Sequence, residues 1–218
     1  MRKIVECVPN FSEGRDKNII DAIADEIRKT KGAKLLNVEP DADYNRVVVT
    51  FAGEPDGVVE AAFAATKKAY ELIDMTKHKG EHPRMGAADV VPFVPVSGVT
   101  MEECVELSKR YAKKVADTLN VPIYLYENSA TKPERRNLSK VRAGEYEGLQ
   151  EKLKDPEWKP DFGPDEFVPR YGATVTGARF FLIAYNVNLK TEDKKIANEI
   201  AKRIRESGRK VKREDGEK

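Results

Sequence analysis

Two histidines, His78 and His82, are the side chains of this sequence best suited to move a proton near neutral pH. Both lie in HKGEHPRMGAADVVPFVP, whose charges, glycines and proline predict an exposed loop over residues 78–87. A metal site is not expected, because Gly80 and Pro83 disfavour a shared helix face and no cysteine or further histidine completes a zinc set. We predict that His82 is a general acid/base, the alternative being a surface histidine without a role.

Three further segments have patterns that allow ligand binding. In VPNFSEGRD, Ser12 or Asp16 caps a helix, or Asn10 and backbone N–H groups bind a carboxylate, and capping is the simpler interpretation. In PERRNLSKVR, residues 133–142, the basic side chains form a solvated face or receive a polyanionic tail. In DFGPDEFVPRYGATVTGAR, residues 161–179, glycines beside aromatic residues allow a flat ring to stack on backbone, or the segment is a packing loop.

The composition argues against several classes of protein. Lys+Arg 39 against Asp+Glu 37 gives a net charge of +2 over 218 residues, so general nucleic-acid binding is not expected. The N-terminal apolar stretch is short and is interrupted by Glu6, which fits neither a signal peptide nor a membrane span. Cys7 and Cys104 lack metal or redox spacing, so we expect two buried thiols in a cytoplasmic protein.

Hydrophobic periodicity predicts the elements that position these segments. We expect strands over residues 2–8, 33–38, 46–52, 88–96 and 122–126, and helices over residues 16–30, 56–75 and 100–119. Thr100 and Glu103 form a capping box, and Pro92 and Pro95 indicate an edge or irregular strand. The order predicts an α+β fold: a ferredoxin-like sandwich with an antiparallel sheet and helices on one face.

The remainder of the chain is less regular. A short helix is expected over residues 144–153 and a long ordered loop over residues 155–171, a length typical of functional loops. A strand over residues 178–189 and a helix over residues 192–206 follow. One strand and one helix do not form a two-layer domain, so they dock on the first domain or begin a second, incomplete one.

Four segments taken together, VECVPNFSEGRD, HKGEHPRMGAADVVPFVPV, RAGEYEGL and DFGPDEFVPRYGATVTGARFFLIAYNVNL, resemble the glutamate formimidoyltransferase family. The same module forms the N-terminal part of the bifunctional formimidoyltransferase-cyclodeaminase. The resemblance implies transfer of a formimino group from N-formimino-L-glutamate to N5 of tetrahydrofolate, in histidine breakdown and one-carbon metabolism. It implies no metal and no permanently bound cofactor, with tetrahydrofolate as a co-substrate.

The resemblance also implies roles for individual residues. The family's catalytic histidine corresponds to His82, its acidic position after the second strand to Glu39, and its Asn-Arg pair to Asn45 and Arg46. With Asn10 facing the substrate, Glu39 would orient the histidine, and Arg46 or Arg84 would pair bidentately with a glutamate carboxylate. The folate-contacting loop corresponds to Gly163, Pro164, Asp165, Glu166, Phe167, Val168, Pro169, Arg170, Tyr171 and Gly172.

The family module has two subdomains with the folate between them, whereas this sequence is expected to contain only the start of the second. We therefore predict an N-terminal subdomain over residues 1–177, a truncated C-terminal subdomain over residues 178–207 and a charged, disordered tail over residues 208–218. A homodimer is expected, or a separate chain that supplies the missing part. Two alternatives remain: an enzyme acting on 5-formyltetrahydrofolate, and a non-catalytic folate-binding protein or subunit of a split enzyme.

Overall fold

The computed structural model describes residues 2–183, 187 and 189–204, which fall into two units that divide after Phe181. The predicted division of the chain at residues 177 and 178 is not tested by this clustering and stays a prediction. The predicted tail, residues 208–218, lies outside the described residues.

The first unit alternates strands and helices in the order that the periodicity predicts. It contains β1 (Ile4–Cys7), β2 (Asn10–Phe11), α1 (Lys17–Lys29), β3 (Ala33–Asp41), β4 (Arg46–Gly53), α2 (Pro55–Leu72), β5 (Ala88–Ser97), α3 (Met101–Leu119), β6 (Ile123–Glu127), α4 (Leu138–Val141), α5 (Leu149–Lys154) and β7 (Thr174–Ala178). In the second unit, α6 (Lys194–Ile204) falls within the helix predicted over residues 192–206, of which residues 205 and 206 lie outside the described part.

One sheet contains all seven strands, in the spatial order β3, β4, β1 with β2, β5, β7, β6. The strands β3, β4, β1 and β5 are antiparallel neighbours, whereas β7 runs parallel to both β5 and β6. The first four positions therefore have the order of a split β-α-β sandwich, extended by α3, β6 and β7. This arrangement confirms the predicted α+β fold class.

The two faces of the sheet are covered differently. Helices α1, α2 and α3 pack against one face over the main hydrophobic core, and the buried alanines of α2, including Ala61, Ala65 and Ala69, let that helix approach closely. The capping box of Thr100 and Glu103 opens α3 as predicted. A smaller core on the other side contains Tyr124, Tyr126 and Val175, together with residues of α4 and α5. Alternation along β6 sends Ile123 and Leu125 to the first core and its tyrosines to the second.

β5 is an interior strand, so the prediction of an edge strand is wrong and the irregular alternative is correct. Pro92 lies opposite the interruption between β1 and β2, and its carbonyl oxygen accepts a hydrogen bond from Val8 N at 3.3 Å. A proline without an N–H is tolerated at such a break in the ladder.

The strand predicted over residues 178–189 is not found among its described residues beyond Ala178, where β7 ends. Residues 184–186 and 188 lie outside the described part. The sheet instead uses Thr174–Ala178, of which only Ala178 belongs to the predicted strand. The four fully buried residues Thr174, Val175, Thr176 and Ala178 fit a strand enclosed on both faces.

Candidate functional site

Asn45, in the turn between β3 and β4, joins three of the motif-bearing segments. Its Oδ1 accepts a hydrogen bond from Gly14 N at 2.9 Å, and its Nδ2 donates to Lys79 O at 2.9 Å. The residue is buried with a φ of 48°, a left-handed conformation that asparagine tolerates better than most residues. The VPNFSEG turn and the loop of His82 are therefore held against the same hairpin.

The segment after His82 is hydrogen-bonded to the end of the 163–172 loop. Ala173 N donates to Met85 O at 3.0 Å, and Ala87 N donates to Tyr171 O at 2.9 Å. Gly172 has a φ of 71°, and a Cβ at that position would lie 2.1 Å from Met85 O. Glycine is therefore required where the two backbones meet.

Ser12 binds this same segment and does not cap a helix. Its Oγ donates to Gly86 O at 2.8 Å, and its backbone N donates to Ala87 O at 2.9 Å. Asp16 is the N-cap of α1, where its side chain accepts a hydrogen bond from Asn18 N. The capping interpretation is thus confirmed for Asp16 alone.

The 163–172 loop is anchored to the protein in its middle and at its C-terminal end. Phe167 packs on Tyr146 with ring centroids 5.5 Å apart, and Tyr146 OH donates to Pro169 O at 2.5 Å. Tyr171 stacks edge-on against Tyr70 at 5.1 Å, and Arg170 Nη2 donates to Glu71 O at 3.1 Å. The remaining predicted members of the loop include the exposed Asp165, which pairs with Lys159 at 2.9 Å, the exposed Gly163 and Glu166, and the half-buried Pro164 and Val168. Proximity to a folate stays a prediction for all ten residues.

The two histidines have different environments. His78 Nδ1 accepts a hydrogen bond from Arg84 Nε at 3.2 Å and Nε2 lies 2.9 Å from Asn45 O, so both ring nitrogens are occupied in the Nε2–H tautomer. For the half-buried imidazole of His82 no hydrogen-bond partner is found among residues 2–183. Of the two, His82 is therefore available to exchange a proton with a ligand.

Positive charges surround His82. Burial, followed by the charges of Arg142, Arg46, Arg84 and His78, lowers the pKa of His82 to about 3. Neither burial nor neighbouring cations favour the imidazolium form, so this histidine is neutral at physiological pH. The arrangement provides an unprotonated acceptor within a field that attracts anions.

Arg84 is already occupied by protein carboxylates. Its Nη1 and Nη2 bind Glu147 at 2.9 and 2.6 Å, Nη1 also reaches Glu145 at 3.2 Å, and the guanidinium lies 5.9 Å from the centre of the Tyr146 ring. The predicted bidentate carboxylate contact is thus made inside the protein, with Glu147. The RAGEYEGL segment supplies that partner and is held against the His82 loop.

Asn10, Arg46 and Glu39 share the sheet face opposite α1 and α2. The register aligns Glu39 with Val48 of β4 and Val48 with Asn10 of β2, so Glu39, Val48 and Asn10 form one row across the sheet. Arg46 lies two residues before Val48 and thus on the same face. Arg46 Nη1 donates to Asn10 Oδ1 at 3.3 Å. Glu39 is exposed, and no contact with His82 is found in the described part of the chain.

Arg142 and Asp89 form a buried ion pair that the sequence analysis did not predict. Asp89 is 1% exposed, accepts from Met85 N at 3.0 Å and from Arg142 Nε at 3.3 Å, and binds Arg142 Nη2 as well. Burial raises the pKa of Asp89, and the Arg142 guanidinium opposes that rise. A lone aspartate at the start of an apolar strand was the available signal, because such a residue needs a cationic partner when buried.

PERRNLSKVR is therefore not simply a solvated face. Arg135 is also buried and binds Asp161 Oδ2 at 2.7 Å, while Arg136 is exposed. The sequence of the segment does not reveal such contacts, because the partner of the arginine lies 26 positions away along the chain.

Within the part of the chain that the structure describes, neither the cavity at the outer edge of the sheet nor a cluster of metal-ligating side chains indicates a second site. A cavity of about 560 Å³ is lined by Arg28 and residues 33–38, at the outer edge of the sheet. Among residues 2–183, 187 and 189–204, no group of three or more His, Cys, Asp or Glu side chains is placed to hold a metal ion. None of the helices within these ranges is long and apolar enough to cross a membrane.

Comparison with known proteins agrees with these motifs. Residues 4–179 match the formiminotransferase domain, N-terminal subdomain. The chain is 60% identical to formimidoyltransferase-cyclodeaminase of Dictyostelium discoideum over 96% of its own length, but spans 39% of that relative. It is 52% identical to glutamate formimidoyltransferase of Streptococcus pyogenes over 95% of its length and 70% of the relative, and 50% identical to that of Thermoplasma acidophilum over 93% and 67%. This chain therefore belongs to the formiminotransferase family.

Proposed function

We propose that this chain takes part in the transfer of a formimino group from N-formimino-L-glutamate to N5 of tetrahydrofolate, with His82 as the acid/base. The observation that carries the proposal is the position of His82. It lies where the VPNFSEG, HPRMGA and RAGEYEGL segments converge, with no partner for its ring nitrogens among residues 2–183. The names of the relatives support the reaction.

The chemistry requires one proton to be moved twice. N5 attacks the amidine carbon, a C–N bond forms, and neutral His82 takes the proton that N5 releases. The tetrahedral intermediate then breaks the bond between that carbon and the glutamate nitrogen, which receives the proton from the imidazolium. His82 returns to its neutral form, so the cycle consumes no oxidant or external acid.

The positive charges of the arginines around His82 favour binding of the anionic substrates and disfavour protonation of the imidazole. An anionic donor beside Arg46 and Arg142 supplies negative charge that offsets this effect, so the pKa of His82 rises once the donor is bound. Glu39 completes the arrangement if the bound substrates bring the carboxylate and imidazole together. The anchored 163–172 loop offers the half-buried Phe167 to the folate.

We also propose the partners, the oligomeric state and the cellular compartment of the chain. Small molecules are the expected partners, and the relatives named as transferases support that class. A homodimer in a reducing cytoplasm is proposed as well, in keeping with the buried Cys7 and Cys104 thiols.

The test is calorimetric titration with tetrahydrofolate, followed by a turnover assay with N-formimino-L-glutamate. We expect His82→Ala to lower turnover by roughly 10²–10⁴-fold while the dissociation constant for the folate is kept. Lys79→Ala, an exposed neighbour in the same loop, is the matched control. Folate binding without turnover in the unaltered chain would contradict the transferase proposal and favour a folate-binding role.

A further inference from the structure

Arg142 is fixed on one side and open on the other. Its Nε and Nη2 both bind the buried Asp89, which is itself held by Met85 N, three residues after His82. No bond from Nη1 is found among the described residues, and the side chain keeps 14% of its surface exposed. The guanidinium thus retains donors for an anion in a fixed direction.

Arg46 provides a second set of donors. Its Nε is buried and lacks a hydrogen-bond partner within the described part of the chain, and its Nη1 donates only at 3.3 Å to Asn10 Oδ1. A buried, unsatisfied N–H is costly, and in a native protein it commonly marks the place of a ligand or water. His82 N donates to Tyr44 O at 3.4 Å, two residues before Arg46, and Arg142 is joined through Asp89 to Met85, three residues after His82. Both arginines are therefore held against the loop that carries the imidazole, and the charges of both act on it.

Arg84 does not serve this purpose, although it is also near His82. Its three nitrogens bind His78, Glu145 and Glu147, and its side chain is 6% exposed. With four of its five N–H donors used in these bonds, Arg84 has no pair of free donors for a bidentate contact with a ligand.

The covalent structure of the substrates decides which carboxylate the two arginines meet. In N-formimino-L-glutamate the α-carboxylate is attached to the carbon that carries the reacting nitrogen, whereas the glutamate tail of a folate lies beyond the aminobenzoyl group. We infer that Arg142, positioned by Asp89, and Arg46 bind the α-carboxylate of the amidine donor beside His82. This inference rests on the proposed function and adds Arg142 to the donor-binding residues.

The experiment varies the ligand before it varies the protein. N-formyl-L-glutamate, the oxygen analogue of the donor, is titrated calorimetrically into the unaltered chain alongside its α-amide and its γ-amide. Charge-assisted hydrogen bonds to two arginines predict that the α-amide binds about 10- to 100-fold more weakly and that the γ-amide loses less. Equal affinities for the three, or a larger loss for the γ-amide, would overturn the assignment.

Substituted variants then identify which arginine causes the preference for the acid over the α-amide. In Arg142→Gln, the affinity ratio of the acid to the α-amide should fall by about 10-fold or more, whereas Arg136→Gln, with the same change in charge on the same segment, should keep it. Since Arg142→Gln leaves Asp89 buried without its cation, Arg46→Gln and the neutral pair Asp89→Asn with Arg142→Gln are measured too. A folded variant lacking Arg142 with an unchanged ratio would contradict the inference.

Two parallel measurements separate this inference from the proposed function. Tetrahydrofolate and tetrahydropteroate, which lacks the glutamate tail, are titrated into the unaltered chain and Arg142→Gln. If Arg142→Gln lowers the affinity for tetrahydrofolate but not that for tetrahydropteroate, the arginines bind the folate tail and the donor assignment is wrong. If the unaltered chain turns over but Arg142→Gln leaves the affinity ratio of the acid to the α-amide unchanged, only the carboxylate assignment is wrong. If the unaltered chain does not turn over but Arg142→Gln lowers that ratio as expected, only the transferase proposal is wrong.

Discussion

Arg135 and Arg142 lie at the two ends of one short basic segment, and each forms an ion pair with an aspartate, yet their surroundings differ. Arg135 Nη1 binds Asp161, its Nη2 donates to Glu157 O at 3.0 Å and Lys159 O at 2.7 Å, and its guanidinium lies 5.3 Å from the Tyr124 ring centre. The bonds found for Arg142 go to Asp89 alone, and its charge acts on His82.

The contrast shows that burial of an arginine does not itself indicate function. Arg135 uses Nη1 and Nη2 to fasten the segment before α4 to the 155–161 turn, so it organises the smaller core. Arg142 keeps donors that the protein does not use, next to an unpartnered imidazole. Arg135 also has an unpaired donor, its buried Nε, but its side chain is 2% exposed and its guanidinium lies 5.3 and 5.6 Å from the ring centres of Tyr124 and Trp158. The two arginines are therefore distinguished by where their unused donors lie, since only those of Arg142 lie next to the imidazole of His82.

The largest effect on stability is expected for Arg135→Met. The substitution leaves Asp161, whose side chain is 7% exposed, without its cation, and breaking a buried pair in this way costs about 3–5 kcal/mol of the free energy of unfolding. Urea denaturation measures the change. Arg136→Met is the control and should shift stability by no more than about 0.5 kcal/mol, because that side chain is exposed.

Asp89→Asn should lower stability less than Arg135→Met does, but it should also weaken binding of the donor. Asparagine keeps an oxygen for Met85 N, and Arg142 retains some exposure to water, so we expect a loss of about 1–3 kcal/mol in unfolding free energy. Because Arg142 loses its anchor, the affinity for N-formyl-L-glutamate should fall while that for tetrahydropteroate is kept. If both ligands weaken equally, Asp89 supports the fold only, and the distinction between the two pairs fails.

The sequence predicts the secondary structure better than it predicts the ion pairs. Periodicity and the capping box of Thr100 and Glu103 locate the helices and the β3–β4 hairpin, because local patterns decide those elements. Asp89 at the start of an apolar strand signals that a cation is needed nearby, but its identity, Arg142 at 53 positions away, depends on the folded sheet. Likewise, Pro92 suggests an edge strand until the interruption between β1 and β2 is known.

The charge of His82 offers a pH test of the same cluster. Its pKa is lowered to about 3 in the fold against about 6.5 in an unfolded chain, so the unfolded state binds the proton more readily. The stability contributed by the neutral form is complete above pH 6.5 and is lost as pH falls from about 6.5 towards 3. We expect His82→Gln to show a shallower loss of unfolding free energy between pH 7 and 4 than the unaltered chain, measured by urea denaturation at about three pH values. Equal slopes would mean that His82 is not held neutral by its neighbours.

Glu147→Gln should have the smallest effect and sharpens the comparison most directly. The Glu147 side chain is 64% exposed, so loss of its charge should lower the free energy of unfolding by less than about 1 kcal/mol. Arg84 would then be released in part, with Glu145 as its remaining carboxylate partner. Since Arg84 binds carboxylates of the protein and Arg142 is inferred to bind the carboxylate of the donor, calorimetry should find no loss of affinity for N-formyl-L-glutamate. A loss as large as that of Asp89→Asn would mean that the occupied arginine, and not the one with unused donors, determines donor binding.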